Sequence, residues 1–410
     1  MAPRTRSLAV ALLAAVPLGA RAQAPQTESD AYTRYELLAP GSAKFRILYE
    51  VTATTAGARY YFNPIRKGSV ASDERVLDRA TGKPLAFETV GGTVARAAGV
   101  RGADSSTEYI RVTLARPVPP DGGEGRILND KTYTDTASYR VEGRDIVFRR
   151  PLGIKRNAVV LPRGYELVSC NVPSQVLQEP DGRVAVSFWN ASAAEAPLAL
   201  RARPAASLGS GQIARAPLGT GAAARLDERA HQNREIVYFL RPPETHAFDL
   251  YHDYTETRPG TAAYVNVVRG GSTVASPSAR DLDTGEMLKW EVLRGDAIAR
   301  AGFGAEAPNA TPETEAVVFR YAPVPPGGSI RLRMSETYTD SARYRLVGDE
   351  LVWDRSFGRP ANAVVLPAGW MLTNSSIPAT VSELPDGRVR LDFVNPRPDE
   401  IAVLITARRR

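Results

Sequence analysis

The sequence predicts an all-β protein: two tandem homologous antiparallel β-sandwich domains behind an N-terminal signal peptide. Three observations predict it: an internal repeat about half the chain long, an apolar period of two inside each copy, and regularly spaced turn signals.

The repeat comes first because it sets the domain count. Residues 131–204 align with 336–409 at a constant offset of 205, without a gap, and 31 of those 74 positions are identical. Shared text includes Thr-Tyr-Thr-Asp (132–135 and 337–340), Asn-Ala-Val-Val-Leu-Pro (157–162 and 362–367) and Pro-Asp-Gly-Arg-Val (180–184 and 385–389). Upstream the offset is 203: Asp78, Thr81, Gly82, Leu85 and Glu88 meet Asp281, Thr284, Gly285, Leu288 and Glu291. Pro117-Val118-Pro119-Pro120 recurs as Pro323-Val324-Pro325-Pro326. A period this long is a whole domain, not a solenoid unit. The expected organisation is a signal peptide over 1–22, one repeat over 31–204, an Ala/Gly-rich linker over 205–229 and a second repeat over 230–410.

Within a copy the apolar residues alternate. Phe45, Ile47, Tyr49 and Val51 do so, as do Ile110, Val112 and Leu114, then Val184, Val186 and Phe188. That period places them on one face of a strand. Pro-Asp-Gly between such runs reads as a hairpin turn: Pro presets φ, Asp caps, and Gly takes the left-handed position. Asp-x-x-Thr-Gly before Leu85 and Leu288 reads as another. Helical spacing is scarce and nowhere long enough to cover a sheet. Strand signals every 8–12 residues point to antiparallel sandwiches, either one large or two small per copy, divided near Pro-Val-Pro-Pro.

The amino terminus has the marks of export. Arg4 and Arg6 precede the apolar run Leu8–Val16, and Ala20-Arg21-Ala22 offers small residues at a cleavage site. The run is too short for a permanent membrane span. With Arg4, Arg6 and Arg21 removed, 49 basic residues face 45 acidic ones, a net charge of +4. No basic run with interleaved aromatics appears, so nucleic acid is not an expected partner. Cys170 is the single cysteine, which rules out an intramolecular disulfide; its counterpart in the second copy is Ser375. Core burial must therefore hold the domains.

The stretch from the Asp-x-x-Thr-Gly hairpin through Pro-Val-Pro-Pro to a hydrophobic strand, about 60 residues per copy, resembles the non-catalytic β-domains that precede the catalytic module of zinc aminopeptidases. The resemblance implies a β-sandwich. It implies no activity, because the His-Glu-x-x-His helix on which that family's chemistry depends is absent from the sequence.

Chemistry is thin. The histidines are His231, His246 and His252. His246 and His252 are expected on one strand, sharing a face about 20 Å apart, too far to chelate one metal. His252, Asp253 and Glu256 form the densest polar group of the second copy and the only candidate catalytic set; the first copy has Tyr49-Glu50-Val51-Thr52 there. Asp281-x-Asp283-x-Gly285 opens like a calcium loop but lacks the closing Glu, so a turn is the preferred reading. No metal site and no cofactor are expected.

The sharpest polar motif shared by the copies is Thr-Tyr-Thr-Asp-x-x-x-Tyr-Arg. It contains Tyr133, Asp135, Tyr139 and Arg140 in one copy and Tyr338, Asp340, Tyr344 and Arg345 in the other. These are the candidate binding residues, suited to sugars or peptides. The structural alternative makes Asp135 a turn cap and has Asn157 satisfying buried backbone groups. Together these readings point to an exported, periplasmic or secreted, non-catalytic binding or scaffold protein of the bacterial envelope, with an envelope polysaccharide or protein as partner. The rivals are a hydrolase, with a site near His252 or in the cleft between the domains, and an accessory subunit of a separately encoded envelope enzyme.

Overall fold

In the computed structural model, residues 25–190, 194–205 and 228–410 are described. The expected signal peptide lies outside them, as does the expected linker apart from residues 205, 228 and 229.

Among the described residues each half has fourteen strands and one short α-helix, Gly92–Ala97 or Asp296–Arg300. In the first half the largest sheet runs Gln175–Gln178, Val184–Trp189, Arg156–Val160, Glu28–Leu37, Lys44–Ala53, Gly125–Thr134, Val70–Asp78. A four-stranded sheet runs Tyr165–Cys170, Ala196–Pro204, Asp145–Leu152, Tyr139–Glu142, and a three-stranded one Tyr60–Pro64, Glu108–Thr113, Phe87–Gly91. The second half repeats all three sheets in the same strand order. The all-β, two-copy expectation is therefore met.

The alternation read from sequence sets the layers. Phe45, Ile47, Tyr49 and Val51 are buried on the inner face of Lys44–Ala53. They join one core with Phe148 and Leu200 of the four-stranded sheet and Tyr61, Ile110 and Val112 of the three-stranded sheet. Both small sheets thus pack on the same face of the large one. The copy is not divided near Pro-Val-Pro-Pro, because the seven-stranded sheet takes strands from both sides of that segment.

The antiparallel expectation fails at one pair per half. Glu28–Leu37 runs parallel to Arg156–Val160, and Arg234–Leu240 parallel to Ala361–Val365. Every residue of Arg156–Val160 is buried. That explains why Ala158-Val159-Val160-Leu161 is continuously apolar instead of alternating. On its outer face Ala158 packs with Tyr32 and Ala230, so the chain entering the second half covers it.

The hairpins form as read. In Pro-Asp-Gly, Gly182 and Gly387 adopt φ +84° and +79°, and Asp181 Oδ1 accepts the Arg183 amide. In Asp281–Gly285 the Asp281 carboxylate accepts the Asp283 amide and the Thr284 hydroxyl, which is the cap of a turn. Among the described residues no helix is long and apolar enough to cross a membrane, and no group of three or more His, Cys, Asp or Glu is placed to hold a metal.

Candidate functional site between the two halves

The strand Ala247–Glu256 sends alternate residues to opposite faces, and this separates the candidate catalytic set. Phe248, Leu250 and Tyr254 pack with the core, so His252 and Glu256 share that inner side. Asp253 faces outward, where it takes a bidentate pair from Arg333 at 2.8 and 2.7 Å and lies 3.8 Å from Arg331. His252 is 5% exposed. Burial, reinforced by Arg359, Arg234 and Arg331, pushes its pKa well below the usual histidine range, so the imidazole is neutral. Its Nδ1 is 3.4 Å from the Tyr264 hydroxyl, and its Nε2 has no hydrogen-bond partner among the described residues. Glu256 is saturated locally by the Thr257 and Arg258 amides, the Arg258 guanidinium and the Tyr254 hydroxyl. The three residues are not brought together.

His246 is not on that strand. Pro243–Thr245 forms a short 3-10 turn, and His246 follows it at φ 52° before the strand opens at Ala247. Its Nδ1 lies 2.8 Å from the Tyr344 carbonyl. The expectation that His246 and His252 share a strand face is corrected by this turn.

The two copies of the tyrosine motif sit inside their halves. Tyr133, Tyr139, Tyr338 and Tyr344 are all buried, as are Asp135 and Asp340. The Tyr139 and Tyr344 hydroxyls donate to the Leu38 and Arg241 carbonyls, tying each four-stranded sheet to its large sheet. Asp135 caps its turn by accepting the Ser138 amide at 2.9 Å and holds Arg150 at 3.1 Å; Asp340 holds Arg355 at 3.0 Å. Each of these arginines lies over aromatic rings, Phe45 and Tyr133 in one half, Phe248 and Tyr238 in the other. Asn157 and Asn362 donate to the carbonyls of Ile154 and Arg359. Only Arg140 and Arg345 are half open to solvent. The motif thus presents no shared aromatic surface, and its retention follows from these internal bonds.

The shared turn motifs do something the sequence does not reveal: they clasp the halves together. Each Asp-x-x-Thr-Gly hairpin packs against the other half's Pro-Val-Pro-Pro loop. The Glu124 amide donates to the Leu282 carbonyl at 2.7 Å, and reciprocally Ser329 donates to the carbonyls of Arg79 and Ala80. A Cβ on Gly82 would lie 2.5 Å from the Gly327 carbonyl oxygen, and one on Gly285 2.9 Å from Pro119. Such reciprocity is the pattern of a two-fold dimer interface, here within one chain.

Arg126 and Arg331 occupy equivalent positions at this clasp. Arg126 forms a buried bidentate pair with Asp283 at 2.6 and 2.7 Å and donates to Ser329. Arg331 faces Glu124 and Asp253, each at 3.8 Å, and donates to Asn233 and Thr255. Burial, countered by Arg331 and reinforced by Asp253, pushes Glu124 up to about 7.

Beside the clasp lies a cleft of about 200 Å³ lined from both halves, by Glu50, Arg79, Arg126 and Arg156 on one side and Arg234 and Tyr254 on the other, with His231 between. Glu50 lies 3.4 Å from Arg79 and 3.5 Å from His231. Burial pushes its pKa up, but His231, Arg79 and Arg156 outweigh this and bring it down to about 2. Sequence reasoning missed these residues because they are scattered singly over two copies. The one available signal was an arginine at the same place in each, Arg126 and Arg331.

No family model matches the chain, and no curated protein matches it. Among solved structures it is similar to a two-domain M1 zinc metallopeptidase bound to L-tryptophan, at TM-score 0.30 and 15% identity, covering 49% of this chain and 52% of that one. An M1 zinc metallopeptidase from Deinococcus radiodurans gives TM-score 0.31 at 14% identity, covering 45% and 43%. A putative nutrient binding protein from Legionella pneumophila gives 0.26 at 10%, covering 44% and 68%. The chain therefore spans about half the length of the metallopeptidases it matches. At these TM-scores the likenesses carry no argument.

Proposed function

We propose that this is an exported, non-catalytic binding or scaffold protein of the bacterial envelope, presenting its two homologous halves as one clasped body to an envelope polysaccharide or protein. The observation that carries the reading is the separation of the candidate catalytic set His252, Asp253 and Glu256. A hydrolytic His–carboxylate pair needs hydrogen-bond contact and a base that can take a proton. His252 is instead enclosed and neutral, Asp253 is tied to Arg333 on the opposite face, and Glu256 is consumed by its own turn. Export rests on the sequence of residues 1–22.

The test is retention of the mature protein on purified cell-wall polysaccharide, on peptidoglycan and on immobilised envelope protein extract. Saturable retention on one of them is expected, with no turnover of chromogenic ester or peptide substrates. Failure on all three overturns the reading. Turnover that disappears in His252→Ala would replace it by the hydrolase.

A further inference from the structure

One buried point is solved differently in the two halves. In the first, Tyr61 on the inner face of Tyr60–Pro64 donates its hydroxyl to the Glu28 carboxylate, with the Tyr49 hydroxyl 3.4 Å away. Tyr61 is 1% exposed, and the carboxylate is the acceptor that satisfies a phenol lying so deep. The second half keeps the frame: at the offset of 203, Tyr264 stands for Tyr61 and His252 for Tyr49. Glu28 is not kept. Its counterpart by that offset is His231, which lies 3.5 Å from Glu50 instead. The Tyr264 hydroxyl meets only the His252 Nδ1 and the Arg359 Nη2 among the described residues, each at 3.4 Å, longer than an ordinary hydrogen bond.

The charge around this point is also different. Arg359 stands where the first half has Ile154. Among the described residues its guanidinium has no ion pair, only the long bond to Tyr264. Arg234 has no ion pair either: its guanidinium lies over the Tyr254 ring, 4.8 Å from the centroid, and its buried Nε has no hydrogen-bond partner. The carboxylates that act on this region are already held, Glu256 by Arg258 and Glu400 by Arg269. Burial, reinforced by Arg234, lowers the Arg359 pKa. A guanidinium still keeps its proton at physiological pH, so both charges persist. Two like charges drawn partly out of water without a counter-ion are costly, and a carboxylate between them would offset that cost. Arg234, Tyr254, Tyr264 and Arg359 are all half-buried, so a solute can reach them. The Tyr254 and Tyr264 rings, 5.0 Å apart at their centroids, add an aromatic wall.

We propose that the second half binds a small organic carboxylate between its three-stranded and seven-stranded sheets. Arg359 and Arg234 would be its ion-pair partners, and Tyr264 would give it the hydrogen bond that Tyr61 gives to Glu28. Guanidinium edges match the paired oxygens of a carboxylate. The first half cannot do the same, because its own Glu28 holds the equivalent position. One site per chain follows, in spite of the duplication. No envelope polymer enters the argument, so this proposal and the scaffold reading fail separately.

The experiment is calorimetric titration of the mature protein with benzoate, with benzamide as its neutral isostere and with inorganic phosphate, at low ionic strength. Saturable one-to-one binding of benzoate is expected, with benzamide inert and phosphate weaker. Arg359→Gln and Arg234→Gln should each weaken benzoate binding about tenfold or more, and Tyr264→Phe about fivefold. Arg203→Gln should leave it unchanged, because Arg203 pairs with Glu166 on the four-stranded sheet of the first half. Should an arginine variant fail to fold, Tyr264→Phe decides, since it removes one oxygen and no charge. Absence of saturable benzoate binding, equal binding of benzamide, preference for phosphate, or undiminished affinity in the folded variants overturns the proposal.

Discussion

Lys131 stands on the inner face of Gly125–Thr134, where the second half has Glu336. In the second half Asn266 and Tyr338 surround that carboxyl, Asn266 donating to it at 2.7 Å and to the Tyr338 hydroxyl at 3.0 Å. Lys131 has no such arrangement. Its ammonium lies 4.9 Å from the Tyr133 ring centroid, while the amides of Asn63 and Asn129 and one oxygen of Glu74 lack partners among the described residues. Burial, only partly opposed by Glu74, pushes its pKa down to about 8. A cation whose folded pKa lies below its unfolded value destabilises most below the folded value, and the cost fades as pH rises toward the unfolded one. Lys131→Met should therefore stabilise the protein by about 1–2 kcal/mol at pH 7 and by less at pH 10. Urea unfolding at the two pH values checks this; destabilisation at pH 7 would mean that the ammonium is satisfied.

At the scale of elements, the same glycine chemistry serves two purposes, and substitution separates them. Gly182 closes the Pro-Asp-Gly hairpin at φ +84°, with open space where a Cβ would go. Gly82 closes the Asp-x-x-Thr-Gly hairpin at φ +70°, but its Cβ would meet the Gly327 backbone of the other half. Gly182→Ala should cost only the left-handed strain, about 1 kcal/mol. Gly82→Ala should cost about 2 kcal/mol more, because backbone on both sides must move. Equal denaturant midpoints for the two variants would contradict the clasp.

These hairpins also mark what was legible. Alternation in Phe45–Val51 and the turn residues of Pro-Asp-Gly declared strands and turns, because period and φ preference are local properties. The partner of Gly82 was not declared, since a shared motif reads the same whether it closes its own half or grips the other. The parallel pairing of Arg156–Val160 was hidden for a similar reason: an apolar run records burial on both faces, not strand direction. In the site, His252 and Asp253 were adjacent in text and were separated by the strand's own alternation. The cleft arginines were invisible because they come together only through the packing of the two halves.

At the scale of the whole molecule, the clasp carries a pH dependence. Glu124 faces Arg331, Asp253, Arg126 and Asp283, and its pKa is raised to about 7. The folded state then holds this proton more tightly than the unfolded one, whose carboxyl titrates near its ordinary value of about 4.3. Stability should fall as pH rises from there through about 7, and the cost is complete above that. Glu124→Gln should raise the melting temperature at pH 8 and leave it nearly unchanged at pH 4. An identical shift at both pH values would assign the effect to packing alone.

The central claim is that two copies of one fold are locked into a single body by a reciprocal, charged clasp. Asp283→Ala tests it most directly, because it leaves Arg126 buried without its bidentate partner, a loss of about 3–5 kcal/mol in such settings. Scanning calorimetry of the wild-type protein should show one transition spanning both halves, and the variant should resolve into two, the first at lower temperature. Two separate transitions in the wild type, or a variant whose single transition is unmoved, would contradict the account.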